Sequence, residues 1–494
     1  MVAALLAGAL TIASAPGPFA FLERHDRVPP PRTLRSHVIE APATAQRLIP
    51  APAPGVTEPL PGALPSPPAP AAPVAAPAPA PPPAPAPDPA AAPTPPPGAA
   101  LAGVVAARLA DPRLAGTTVG LSVWVDGLGE VAAHNPDLPL TPASNQKLFT
   151  AMGVLSLVPQ TDRLLTVVRA TGARDGRVLM GDLFLVGGGD PTLNAKGPHS
   201  LDVLAAAVKA GGIDEVRGAL VGDETRYDAA RGAPGWLPEH VPVFIGPLSA
   251  LVVDRNQLRP DAAYAANPVP GTLPYFRAAL LRAGVRVAGP NVVGAAPAGS
   301  AVLAALPSPT VGDLVGEMLN QSDNLIAELL VKEVGYRAGR AAAGAPVPGP
   351  GPAPGSTATG LAAIEAAVRG LGVPLDGIAA DGSGLSRQDR RSAREWRALL
   401  QAALPHPWAE RLVGSLPLGA RTGTLARRFA RTAAEANVRA KTGWIDEARS
   451  LSGYLTTAGG RRVVFSVVVN GTTPTSPALN ALDGLVAALA ADRS

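Results

Sequence analysis

The chain has 494 residues, of which 47% are hydrophobic, 16% charged and 4% aromatic, with a formal net charge of +4. That length holds two or more domains with a sizeable core, and a mildly basic balance without any Lys/Arg block excludes a nucleic-acid partner. The absence of Cys removes disulfides, thiol catalysis and thiolate metal sites together.

The six His stand at 25, 37, 134, 199, 240 and 406, with no metal-ligand spacing, so no metal site is expected. A His-based triad stays open, but no Gly-x-Ser-x-Gly elbow accompanies it. Lysine usage is more informative. Only five of the 42 basic residues are Lys, at 147, 196, 209, 332 and 441. Arg cannot give up its proton, so in an Arg-rich chain each Lys is a candidate for chemistry that needs a neutral amine.

Residues 1–22 read as a signal peptide or membrane anchor, with a misassigned or truncated start: the stretch is apolar and rich in small residues, yet no basic residue precedes the apolar run. Pro16 and Pro18 shorten any spanning helix below the roughly 20 residues a bilayer needs. Residues 23–99 read as a Pro/Ala-rich disordered linker, a composition that cannot bury a core and favours extended polyproline II. At about 3.1 Å per residue such a tract reaches on the order of 200 Å, so both a stalk across a thick wall and a plain tail fit it.

The folded part divides, on texture, into 100–165, an inserted accessory domain at 166–300, and 301–494. Its first part predicts a helix at Ala100–Leu109, a strand at Thr117–Asp126, a turn at Gly127–Gly129 and a strand at Glu130–His134. The stretch Thr141–Met152 follows as a helix start, with Pro142 at its head and Leu148, Phe149, Met152 and Leu155 as an apolar stripe. The insert carries two short strands within Leu164–Val186, the turn GGGDPTL (Gly187–Leu193) and a helix at Leu201–Ala210. The triple Gly is a loop rather than a phosphate cradle, since no Lys-Ser/Thr follows.

Thr310–Tyr336 predicts one helix whose apolar face is interrupted by Ser322-Asp323-Asn324; Glu328 on this helix is read as a surface residue. A Pro/Gly loop (Ala341–Thr357), a helix at Gly360–Leu371 and the turn DGSGLSR (Asp381–Arg387) come next. The end of the chain predicts a strand at Val438–Thr442, a hairpin of Ser450–Thr457 with Val463–Asn470, and a last helix at Ser476–Ala491. These elements imply an α+β fold of two or three layers.

Ser144 and Lys147, three apart on a helix, share one face, so the amine reaches the hydroxyl. A Ser beside a desolvated Lys is one form of activated nucleophile; alone, the pair reads equally as a helix cap with a solvated Lys. Ser144-x-x-Lys147, Ser322-Asp323-Asn324 and Lys441-Thr442-Gly443 occur in order, on a helix start, a helical segment and a strand. A decoy, Arg421-Thr422-Gly423, has no strand pattern before it.

The ordered trio resembles that of active-site serine penicillin-binding proteins and class A β-lactamases. The long gap from Ser144 to Ser322, with SDNLIAELL, GGGDPTL, PGW, VVDRNQ, DGSGLSR and GTLARRF, resembles the D-alanyl-D-alanine carboxypeptidase/endopeptidase family over about 100–490. These are the class C low-molecular-mass penicillin-binding proteins. The resemblance implies a penicillin-binding-protein/β-lactamase-like transpeptidase domain, an antiparallel sheet flanked by helices, with an inserted α+β domain. It further implies a serine-type D-Ala-D-Ala carboxypeptidase in the cell envelope, outside the cytoplasm, acting on peptidoglycan stem peptides without a cofactor and acylated by β-lactam antibiotics.

In that reading Ser144 is the nucleophile, and Lys147, kept neutral by burial and by positive Lys441, is the base. Ser322 relays a proton, and Asn324 holds Lys147 and the substrate. Lys441, Thr442 and Gly443 bind the terminal carboxylate, and the N–H groups of Ser144 and Trp444 form an oxyanion hole. Asp223 is the insert acid matched to recognition of a side-chain amine, with a turn role as its alternative; Asp323 has helix capping as its alternative. Two departures stand out: a shorter insert, and Trp444 where a small hydroxyl residue usually follows Lys-Thr-Gly. A β-lactamase of the same superfamily and a catalytically silent wall-binding module are the alternative functions.

Overall fold

The computed structural model describes residues 98–257, 264–344 and 353–493. The signal or anchor, nearly all of the Pro/Ala stretch and the middle of the Pro/Gly loop, at 345–352, lie outside the described residues.

A five-stranded antiparallel sheet carries the fold, in the order Arg439–Ile445, Ala448–Thr456, Arg462–Asn470, Thr118–Val125, Gly129–His134. Its inner strands Ala448–Thr456 and Arg462–Asn470 are buried almost end to end, which happens when both faces of a sheet are covered. Side chains alternate between the faces. Val464 and Val468 join Leu148, Phe149, Met152, Trp396 and Leu400 in a core under the helical block. Phe465, Val467 and Val469 join Leu101, Val105, Leu482 and Leu485 from the first and last helices, Ala99–Leu109 and Ala478–Ala491. The result is three layers, helix on sheet on helix, matching the α+β class read from the sequence.

The insert region has its own core and two mixed sheets. The larger runs Asn291–Val293, Leu220–Asp223, Leu183–Val186, Arg163–Ala170, Ala301–Thr310, its first three strands parallel and the rest antiparallel. Helices Leu201–Ala210 and Pro268–Arg282 cover it. Four strands, not two, lie within 163–186. Helix Pro268–Arg282 and strand Ala301–Thr310 escape sequence reading because Pro disguises both. Pro268 sits at the first helical turn, where its missing N–H costs nothing, while Pro307 and Pro309 sit on an edge strand that has a free side. Helix Ala393–Ala403, which the sequence reading did not place, starts at a complete Ser392/Glu395 capping box, the signal that could have found it.

The stretch read as one helix at 310–336 is two, Val311–Gln321 and Asn324–Ala342. They part at Ser322, whose φ of 64° is left-handed. Helix Gln146–Leu157 packs on Thr357–Gly370 through Gly153, where an added Cβ would sit 2.4 Å from Ile364 Cγ2 and 2.7 Å from its Cβ. Helix propensity favours Ala over Gly by about 1 kcal/mol, whereas overpacking costs about 1–3 kcal/mol, and a Cβ cannot rotate away. Gly153→Ala is therefore expected to lower stability by about 1 kcal/mol in urea unfolding; a stabilised variant would contradict this packing.

Candidate active site

The site begins with a turn held against the sheet. Ala143 takes a left-handed φ of 48°, which suits a small residue at most, and delivers Ser144 into a short 3-10 turn leading to helix Gln146–Leu157. Neighbours fix this conformation. Asn470 Oδ1 accepts from Thr141 N at 2.8 Å and its Nδ2 donates to Thr141 O at 3.0 Å; Ser450 Oγ donates to Pro142 O at 2.7 Å. Asn145 Nδ2 donates to Ser452 Oγ at 2.6 Å, and Ser452 bonds Ser466 on the next strand at 2.7 Å. Two glycines let backbone close in: a Cβ on Gly384 would lie 1.9 Å from Ala143 O, and one on Gly443 2.7 Å from Pro142 O.

Lys147 is fully buried. Its Nζ lies 3.0 Å from Ser144 Oγ, 2.7 Å from Asn324 Oδ1 and 2.6 Å from the Ser383 carbonyl. All three are uncharged acceptors, and among the described residues no carboxylate bonds the amine. Burial pulls its pKa down to about 8, against the opposing charges of Asp381, Glu328, Asp323 and Asp389. Lys441, equally buried, is pushed well below the usual lysine range by burial and then by the charge of Lys147. The repulsion expected between the two amines is thus expressed at Lys441, and burial is what lowers Lys147.

The second motif is a helix break rather than a helical segment. Ser322 ends one helix, and Asp323 caps the next, accepting from Ile326 N at 3.0 Å and pairing with Arg255 at 2.8 Å. The break turns Ser322 Oγ to accept from Lys441 Nζ at 2.8 Å, while Asn324 faces Lys147 and donates from Nδ2 to Phe244 O at 3.1 Å. Lys441 also donates to Thr442 O at 2.8 Å, and the Thr442 hydroxyl meets that of Thr424 at 2.7 Å. Trp444 stacks under the Arg449 guanidinium at 4.7 Å.

Asp223 ends strand Leu220–Asp223, and its buried carboxylate accepts from Thr225 N, Thr225 Oγ1 and Ala296 N at 2.6–2.8 Å. These contacts bind it into its own turn. The decoy Thr422 is likewise taken up by turn contacts, with Leu418 N and Asn320 Nδ2.

Two expectations need correcting. Glu328 is not a surface residue but fully buried, because it lies one turn beyond Asn324 and so shares its face. DGSGLSR is more than a turn. It runs beneath helix Gln146–Leu157, with Gln146 Nε2 on Asp381 O at 3.1 Å and Thr150 Oγ1 on Gly382 O at 2.7 Å. Asp381 fixes the loop by accepting from Ser383 N, Gly384 N, Ser386 N and Trp236 Nε1. The signal available was Asp-Gly-Ser-Gly itself, an Asx-type turn with two glycines.

A base must lose its proton before it acts, so the reactivity of Ser144 toward a neutral serine-directed ester should rise with pH. The expected slope is about tenfold per pH unit well below 8, flattening above it; a profile flat from pH 5 to 9 would contradict the role of Lys147.

A profile described as the D-Ala-D-Ala carboxypeptidase 3 (S13) family matches residues 101–274 and 266–491. A D-alanyl-D-alanine carboxypeptidase of Actinomadura sp. is 32% identical over 454 residues, covering 76% of this chain and 81% of that protein. Carboxypeptidase DacB of Mycolicibacterium smegmatis is 30% identical over 406 residues, covering 79% and 83%. Among solved structures, penicillin binding protein 4 of Haemophilus influenzae shares the fold at a TM-score of 0.68 and 21% identity, over 77% of this chain and 97% of that one. A second structure of it, complexed with a β-lactam, has a TM-score of 0.64 and 20% identity over 78% and 97%. The chain belongs to the D-Ala-D-Ala carboxypeptidase 3 (S13) family, the serine-type D-Ala-D-Ala carboxypeptidases.

Proposed function

We propose that the chain removes the terminal D-Ala from peptidoglycan stem peptides through an acyl-enzyme on Ser144. The observation that carries this is Lys147 Nζ, buried and in contact with Ser144 Oγ, Asn324 Oδ1 and the Ser383 carbonyl at once. Ser144 Oγ attacks the penultimate D-Ala carbonyl as its proton passes to Lys147 Nζ. The oxyanion rests on the N–H groups of Ser144 and Trp444, a contribution of roughly 3 kcal/mol per donor. The proton taken by Lys147 is relayed by way of Ser322 to the leaving amine, which departs as D-Ala; the freed Lys147 amine then takes a proton from the water that hydrolyses the ester and returns it to Ser144 Oγ. Lys441, Thr442 and Gly443 hold the terminal carboxylate; the arriving anion stabilises the ammonium of Lys441, which is disfavoured while the site is empty. Asn324 orients Lys147 and the scissile amide.

A β-lactam carries the same carboxylate beside a reactive amide, so it acylates Ser144 and stays there. The three donors already on Asp223 favour its turn role over amine recognition. Residues 1–22 export or anchor the chain, and the Pro/Ala stretch carries the domain outward to the wall. The β-lactamase alternative needs fast deacylation, and a silent wall-binding module has no use for a buried, partner-matched Lys.

Incubation with a fluorescent penicillin and with a D-Ala-D-Ala peptide tests the reading. Wild type is expected to label covalently and release D-Ala, Ser144→Ala to do neither, and Asn324→Ala to label about 100-fold more slowly. Labelling of Ser144→Ala at the wild-type rate, or rapid nitrocefin turnover by wild type, would contradict it.

A further inference from the structure

Glu328 has no part in the chemistry above, yet it is the buried carboxyl nearest in sequence to Asn324 on the same helix face. Its Oε1 accepts from Gly382 N at 3.0 Å. The next residue of that loop, Ser383, presents its carbonyl to Lys147 Nζ at 2.6 Å. Glu328 therefore holds the loop one residue before the carbonyl that contacts the base. Its other oxygen, Oε2, is buried without a well-formed hydrogen bond among the described residues, although the Ser383 side chain lies near enough to favour the charged form; Asp389 lies against the Asp381 carboxyl. A half-satisfied carboxylate in a dry site is costly, and the neutral acid is the cheaper form.

We infer that Glu328 is a positioning residue for Lys147: by holding Gly382 N its carboxyl fixes the loop that presents the Ser383 carbonyl to the amine, and its charge controls how readily that amine gives up its proton. The inference rests on Lys147 being the base. The charged groups facing Glu328 are Lys147 from the nucleophile helix and Asp381 and Asp389 from the loop. Asp323 stands at the start of its own helix and is paired with Arg255, and Lys441 faces Lys147 from the sheet strand. Burial and then the charge of Asp381 push Glu328 up to about 8, and burial brings Lys147 down to about 8, so the two groups titrate over one range.

The sign follows. Below that range Glu328 is neutral and leaves Lys147 alone. As pH rises through it, a carboxylate on Glu328 favours the ammonium on Lys147, so proton loss from the pair is shared and the amine is freed over a stretched interval. A neutral isostere that keeps the Gly382 acceptor removes this competition.

The test is the rate of penicillin acylation against pH for wild type, Glu328→Gln and Glu328→Ala, with thermal unfolding followed alongside. Wild type is expected to climb over a broadened span. Glu328→Gln should give a single-group curve with its midpoint lower by about 0.5–1 pH unit and a plateau at least as high. Glu328→Ala, which loses the grip on Gly382, should acylate about tenfold more slowly at its plateau while remaining folded. A Glu328→Gln curve superimposed on that of wild type, or a Glu328→Ala plateau equal to it, overturns the inference. Absence of acylation in wild type would overturn the reading of Ser144 and Lys147 on which it stands.

Discussion

The rest of the site depends on one buried amine with only neutral partners. Lys147 spends its hydrogen bonds on a hydroxyl, a side-chain amide and a backbone carbonyl, each from a different part of the chain. A carboxylate in direct contact would hold the proton on Lys147; a solvated site would leave it at the ordinary lysine value. Burial among neutral acceptors does neither, and that is the condition for a lysine base near neutral pH. The nearby acids, Asp381, Glu328, Asp323 and Asp389, act without a hydrogen bond to the amine and moderate the cost of its burial.

Meeting that condition strains the backbone. Ala143 and Ser322 adopt left-handed conformations, as do Asp254, Arg255 and Asn256 beside the Asp323 cap. Such residues cost of order 1–3 kcal/mol each and persist only where surroundings over-determine them. Here the surroundings are the sheet and the glycines. Asn470, Ser450 and Ser452 pin the nucleophile turn, and Gly384 and Gly443 let two segments approach the backbone of Pro142 and Ala143 more closely than any Cβ permits. The three-layer fold thus serves the site by giving a strained turn a rigid backing on its central sheet.

Much of this was legible in the sequence, for stated reasons. Strand runs such as Arg462–Asn470 and the stripe on Gln146–Leu157 announce themselves by period, and the rarity of Lys drew attention to 147 and 441. What stayed hidden was set by tertiary packing. The break at Ser322 falls at Ser322-Asp323-Asn324, residues that favour caps, and Asp323 caps the second helix; the contact with Lys441, invisible in the sequence, shows what the turned Ser322 hydroxyl meets. Glu328 looks like any charged helix residue until its neighbour across the gap is known to be a loop N–H. Pro268–Arg282 and Ala301–Thr310 were hidden by prolines: Pro268 at a helix start and Pro307 and Pro309 on a sheet edge are harmless only in three dimensions, while Pro274 lies inside the helix itself.

The scarcity of lysine also makes the central claim directly measurable. With the side-chain nitrogens of all five Lys labelled with nitrogen-15, an NMR titration of the free enzyme follows each amine separately, and Lys147→Arg and Lys441→Arg assign the two of interest. Lys147 is expected to titrate at about 8 and Lys441 well below the usual lysine range. A Lys147 resonance that titrates at the ordinary lysine value of about 10.4 would contradict a buried lysine base.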